Sequence, residues 1–152
     1  MGSSNQKNQI DQINEINQSN ETNHLMKISR FEDLDCWQEA RQLTKLVYEA
    51  IGRSPSWQKD MRLCGQMQDA AGSVMSNIAE GFARRSSKEF VQFLFIAIAS
   101  AAELQSRLYI ALDQKYMSQE SFDSIYEQSD KTSRIISGLI KYLRTRQTRQ
   151  TK

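Results

Sequence analysis

Between residues 66 and 103 the chain reads QMQDAAGSVMSNIAEGFARRSSKEFVQFLFIAIASAAE, two helical hydrophobic patterns separated by a short basic run. In the first pattern Cys64, Met67, Ala71, Val74 and Ile78 recur every three or four residues, which puts them on one helix face. A second line, Gln66, Asp69, Ser73, Asn77, Glu80 and Arg84, is polar throughout and runs along a different side. Such a line is either a solvated face or a hydrogen-bonded seam against a neighbouring helix or subunit. Gly81 and the polar residues after it mark the end of this helix.

Ser86 and Glu89 form an S-x-x-E capping box, so the next helix is expected to begin near Ser86. Phe90, Leu94, Ala97, Ala101, Leu104, Leu108 and Ala111 then alternate by fours and threes, the spacing of a heptad seam. Val91, Phe95, Ile98 and Ala102 flank that seam, and the apolar arc widens to roughly 200°, against the ~100° of an ordinary surface helix. Only a wedge of Gln92, Ser100, Glu103 and Arg107 is polar, interrupted by Ile96. A helix this apolar needs cover on two sides, which predicts a subunit interface. If the chain reverses near Arg85, the small residues Ala70 to Ser73 come opposite Ala99 to Ala102. Small residues on both sides let helix axes approach to the low end of the ~8–10 Å range.

Two further helices flank this hairpin. The stripe Trp37, Ala40, Thr44, Val47, Ile51 predicts a helix from about Asp33 to Ile51, ended by Gly52, Arg53, Ser54 and Pro55. The helix carrying the first half of the hairpin is expected to start near Ser56 as N-cap, or a few residues later. The apolar helix is expected to run from Ser87 to Lys115. Ser118 caps a last helix whose line Phe122, Ile125, Ser129, Thr132, Ile136, Leu139, Leu143 ends near Arg144. Four helices with short connections predict an all-α protein, an up-down-up-down four-helix bundle over residues 31–145. Residues 1–30 are rich in Asn, Gln and Ser and too polar to repay ordering, so a disordered tail is expected there. Residues 146–152 read as a basic C-terminal tail.

Composition narrows the chemistry. At 152 residues the length suits one domain, and a single proline and six glycines favour helix. Cys36 and Cys64 stand far apart with no C-x-x-C and read as reduced core thiols. The N-terminus lacks the apolar core of a signal peptide, and the longest apolar run, Phe93 to Ala102, falls short of the ~20 residues of a membrane span. A cytoplasmic protein with no membrane contact is the resulting expectation.

Histidine occurs once, as His24 in the polar tail. That leaves no E-x-x-H metal motif and no positioned base for an acyl-transfer triad or a thiolate nucleophile. No phosphate-binding glycine loop is present. Glu80 and Glu103 are the one carboxylate pair worth weighing for hydrolysis, with inter-helix hydrogen bonding or capping the plainer role. The expectation is therefore no enzyme, no metal and no cofactor. The seam candidates are Gln66, Ser73, Asn77, Glu80 and Glu103.

Net charge is +2, unevenly spread: zero over residues 1–30, −3 over 31–140 and +5 over 141–152. Arg84, Arg85 and Lys88 cluster at the hairpin turn, and Lys141, Arg144, Arg146, Arg149 and Lys152 at the C-terminus. Each cluster alone is a common solubilising feature. Repeated around an oligomer, their summed field would attract phosphate backbones in a salt-dependent, sequence-independent manner.

The stretch VMSNIAEGFARRSSKEF at residues 74–90 resembles the four-helix-bundle proteins encoded in intervening sequences of bacterial 23S ribosomal RNA genes. Accessory variability proteins of diversity-generating retroelements are relatives of that group. The similarity runs from Leu34-x-x-Trp37-x-x-Ala40, through Ser87-x-Glu89-Phe90, to Leu143. Departures are Gln68 and Asp69, where the family usually has a basic pair, and Ala99, where it usually has glycine. The resemblance implies a left-handed bundle that assembles into a ring, typically a homopentamer, without known enzymatic activity. For the retroelement relatives it implies a basic ring that binds nucleic acid and a reverse transcriptase. The expected function is thus a non-enzymatic oligomeric scaffold binding RNA or DNA through Arg84, Arg85, Lys88, Lys141, Arg144, Arg146 and Arg149. The alternative is a protein–protein adaptor with no nucleic-acid contact.

Overall fold

The computed structural model describes residues 28–150. The tail expected over residues 1–30, His24 included, lies outside them except for its last three residues, as does Lys152. A single 3-10 turn, Phe31–Asp33, leads into α1 (Asp35–Gly52). Then come the one-turn helix α2 (Pro55–Gln58), α3 (Met61–Ala83), α4 (Ser87–Asp113) and α5 (Gln119–Gln150). Among the described residues there is no strand. The fold is an all-helical bundle in which α1 packs on α3 and α5, and α4 packs on the same two helices.

The connections show why the helices break where they do. Ser54 Oγ accepts from Trp57 N–H with Pro55 at the first helical position, and Asp60 Oδ1 then accepts from Leu63 N–H at 3.1 Å. The cap of α3 is therefore Asp60, and Ser56 lies inside the preceding turn, hydroxyl to hydroxyl with Ser54 at 3.2 Å. The extra turn tucks Trp57 beneath the bundle, where it is fully buried, stacks on Tyr116 and receives the Cys64 thiol on its carbonyl. Between α3 and α4, Ser86 Oγ accepts from Glu89 N–H at 3.4 Å, one half of the expected capping box. At the end of α4, Tyr116 N–H bonds Ala111 O and Lys115 N–H bonds Leu112 O, with Lys115 at φ 58°. That paired closure ends α4 at Asp113 and not at Lys115. Ser118 caps α5, its Oγ accepting from Ser121 N–H.

The last helix does not stop near Arg144 but continues to Gln150. No glycine or proline interrupts the segment, arginine and glutamine favour helix, and Thr145 and Thr148 return their hydroxyls to Lys141 O and Arg144 O. Most of what reads as a polar tail is thus the end of a basic helix.

The α3–α4 pair carries the tightest contact. Gln66 meets Arg107, Ser73 meets Ser100, and Gly81 meets Phe90 and Phe93, so the two helices run antiparallel. The small residues expected to face one another do so at Ser73 and Ser100, whose hydroxyls are 2.9 Å apart. The predicted apolar lines are buried on α3, α4 and α5, from Cys64, Met67, Ala71, Val74 and Ile78 on α3 to Phe122, Ile125, Ile136, Leu139 and Leu143 on α5, while on α1 Ala40, Val47 and Ile51 are buried and Trp37 and Thr44 half-buried. Two polar members of the α5 line, Ser129 and Thr132, are wholly buried and bond backbone carbonyls of Ala101 and Gln128. α1 is clasped to α5 by Glu39, which takes Lys131 Nζ at 2.9 Å and Gln128 Nε2 at 2.7 Å. Those two donors hold the Glu39 carboxyl below its ordinary pKa.

A Cβ added at Gly81 would stand 2.7 Å from Phe93 Cβ and 2.7 Å from Phe90 Cδ2. Phe93 Cβ is fixed by the α4 backbone and has no rotamer to yield. Gly81→Ala is expected to destabilise the fold by about 1–3 kcal/mol despite its better helix propensity. Urea unfolding of the two proteins side by side checks this.

Candidate functional site

The basic end of the bundle begins with the close of α3. Arg84 N–H bonds Gly81 O, and Arg85 follows in the left-handed region at φ 54°. A non-glycine residue there costs about 1–2 kcal/mol, yet this turn carries arginine. Ser86 returns to extended backbone and opens α4, leaving Arg84, Arg85 and Lys88 exposed around the turn. Arg84 lays its guanidinium 5.2 Å from the centre of the Phe93 ring.

From the far end of the chain, α5 returns along α4. Ser129 meets Ala101 and Tyr109 packs on Phe122, so α4 and α5 are antiparallel and the C-terminal part of α5 reaches the start of α4. Lys141, Arg144, Arg146 and Arg149 are exposed there, and Arg144 sits 5.1 Å over the Phe95 ring. Phe93 and Phe95 are two residues apart, about 200° around the helix. The two arginines therefore flank the first turns of α4, one from the α3 side and one from the α5 side. Clusters remote in sequence meet at one end of the molecule, with the exposed Glu89 as the carboxylate in the first turn of α4.

The polar seam lies further along the same α3–α4 groove. Arg107 donates to Gln66 Oε1 at 2.6 Å and holds Glu103 Oε1 at 2.6 Å and 3.1 Å. Asn77 Nδ2 donates to Ser73 O at 2.8 Å and Ser73 Oγ at 3.0 Å, while Ser100 reaches Ile96 O. Gln66, Ser73 and Glu103 thus belong to links across the two helices, Asn77 braces Ser73 from within α3, and Glu80 is exposed. Glu80 and Glu103 are not brought together as a carboxylate pair. Glu80 adjoins Gly81, which meets Phe93; Glu103 is three turns further along α4, about 15 Å away at 1.5 Å per residue. The pattern on one helix cannot reveal that offset, because it depends on the register of the other.

On the outward side of α4, Phe95, Ile96, Tyr109 and Ile110 are each 46–51 % exposed, with Ala99 and Ala102 exposed between them. By length and composition α4 is apolar enough to cross a membrane. Its other face is packed into the bundle, and the Glu103–Arg107 pair sits part-way along it.

The 23S rRNA-intervening sequence protein family matches residues 32–138. The chain belongs to that family. A crystal structure of a protein of unknown function from the S23 ribosomal protein family of Bacteroides thetaiotaomicron is similar, at 21% identity and a TM-score of 0.63. The likeness covers 70% of this chain and 98% of that one, and at this identity it is a likeness of fold. No curated protein matches the chain. The family match stops at residue 138, so Lys141, Arg144, Arg146 and Arg149 lie beyond it.

Sequence reasoning named the basic residues but missed Phe93 and Phe95 as the rings they lie on. The available signal was Phe95 on a flank of the apolar arc, where burial was not needed for the core. Among the described residues no group of three His, Cys, Asp or Glu side chains stands close enough to hold a metal. Burial pushes the Cys36 thiol up to about 12 and raises Cys64 as well. Neither thiol is expected to react with iodoacetamide at pH 8 in the folded protein, since the thiolate is the nucleophile. Mass spectrometry should find labelling only as urea unfolds the chain.

Proposed function

We propose that this protein is a non-enzymatic, homo-oligomeric helical scaffold that holds RNA or DNA at its basic end. The observation that carries the reading is the convergence of Arg84 on Phe93 and Arg144 on Phe95, which gathers two sequence-distant basic clusters beside α4. Arginine and lysine in exposed positions suit phosphate oxygens, and binding of this kind is sequence-independent and driven by counterion release. The left-handed conformation of Arg85 adds weight, because backbone strain of this kind gathers at functional sites.

In this reading the protomer is a left-handed up-down-up-down bundle, and copies close into a ring, a pentamer, through the outward face of α4. The exposed side chains of Phe95, Ile96, Tyr109 and Ile110 supply the apolar surface for that contact. A ring repeats the basic end in every subunit and sums its field. A reverse transcriptase as protein partner rests on the resemblance of residues 74–90 to retroelement accessory proteins. The competing reading, an adaptor without nucleic acid, is favoured by the −3 charge over residues 31–140.

Fluorescence anisotropy with single-stranded RNA and DNA decides between the two. Binding is expected at ~50 mM salt, with log K falling by about 0.7 per phosphate contact as log salt rises. Absence of binding at ~50 mM ends the nucleic-acid reading and leaves the adaptor. Arg84→Glu with Arg85→Glu should weaken binding without changing the mass of the assembly. Arg85→Gly should raise stability by about 0.5–1 kcal/mol, by relieving the left-handed backbone, while lowering affinity. For the ring, Ile96→Glu with Ile110→Glu is expected to yield a folded single copy by light scattering at ~500 mM salt, where exposed ion pairs are screened. An unchanged mass would show that the α4 face is not the interface.

A further inference from the structure

The outward surface of α5 divides its charge at the middle of the helix. Glu120, Asp123, Glu127 and Asp130 stand exposed in the first half, with Lys131 the one base. From Arg134 onward the helix carries five bases and no acid. The helix dipole favours acid at the start and base at the end, but its influence fades within the first and last turns. It does not account for Asp130 and Arg134 facing each other across the centre of a 32-residue helix.

Within one turn past that centre lie Ser137 and Gly138, both exposed. A Cβ on Gly138 would meet nothing within 4 Å, and no glycine among the described residues has a positive φ. Nothing inside the chain requires glycine here, although an exposed glycine in a helix interior is unfavourable relative to alanine. Glycine does permit the backbone of another helix to come close.

We infer that two copies of this chain pair through antiparallel α5 helices, crossing between Arg134 and Ser137. A two-fold axis there sets the acidic half of each helix against the basic half of the other. Asp130 then faces Lys141 of the second copy, Glu127 faces its Arg144, and Asp123 faces its Arg149. Two-fold symmetry makes every pair occur twice. Glu127 and Lys141 are exposed, and Asp130 is held only by Arg134, at 3.6 Å on its own helix. Beside the acidic half an open groove of about 980 Å³ between α1 and α5, floored by Gln42 and Leu46, accommodates the long arginine side chains of the second copy. The surface is polar and its ion pairs are solvent-exposed, so the contact is weak and salt-labile. It differs in this from an apolar contact through α4, which salt does not screen.

Sedimentation of the full chain without nucleic acid, at ~20 mM and ~500 mM salt, tests the pairing. The mass at low salt is expected to be at least twice that at high salt, an exact doubling if single copies persist at high salt and a doubling or more if a ring does. Asp130→Lys alone should abolish the doubling, and Asp130→Lys combined with Lys141→Asp should restore it. Gly138→Gln improves helix propensity and fills the space beside the crossing point, so it should abolish the doubling with no loss of melting temperature. A mass independent of salt, a doubling that survives Asp130→Lys or Gly138→Gln, or a folded charge-swap variant that stays unpaired overturns the inference. Loss of the α4 assembly would appear separately, as a lower mass at high salt.

Discussion

The close antiparallel contact of α3 with α4 is the constraint on which the rest of the molecule depends. Gly81 lies where the β-carbon of Phe93 leaves no room for a side chain, and Ser73 meets Ser100 hydroxyl to hydroxyl. Between them these contacts set both the separation of the helices and their register. The register in turn brings Arg107 to Gln66, and it places Phe90 edge-on against Phe82 at 6.0 Å. A core of leucine and isoleucine alone would tolerate a shift along the helix axis far better, since apolar burial is not directional.

Buried hydroxyls extend the same principle to other helix pairs. Thr44 Oγ1 reaches Ala71 O from α1, and Ser129 Oγ reaches Ala101 O from α5. A slide by one residue would cost the buried Ser129 hydroxyl its partner, a penalty of about 1–3 kcal/mol, whereas Thr44 would keep its bond to Ala40 O within α1. Small side chains and local hydrogen bonds therefore determine where the large apolar ones come to rest. Trp57 and Tyr142 are the exceptions: Trp57 is fully buried, yet its Nε1 has no hydrogen-bond partner, and neither has the buried Tyr142 hydroxyl.

Charge and apolar surface are distributed with equal definition on the outside. α4 is packed on one side and shows Phe95, Ile96, Tyr109 and Ile110 on the other, while α5 presents carboxylates along its first half and guanidinium groups along its second. The two helices present surfaces of different character, one apolar and one charged. The basic end lies where both meet, with Arg144 of α5 stacked on Phe95 of α4.

Helical periodicity by itself determined the long helices and their buried faces, because local spacing encodes which side of a helix faces inward, while the family was legible only through the motif at residues 74–90. Capping chemistry was legible at Ser86 and Ser118, where the side chain bonds a neighbour three residues on. It left the start of α3 open between Ser56 and a position a few residues later, and the structure takes the later one, Asp60, after the extra turn that buries Trp57. The end of α5 was misjudged because a polar helix has no apolar line to mark its extent. Only the tertiary structure decided that Glu80 and Glu103 stand apart and that Arg84 and Arg144 flank the same turns. Those relations come from the register between helices, which is set by contacts such as Ser73 with Ser100, and no period within a single helix carries that information.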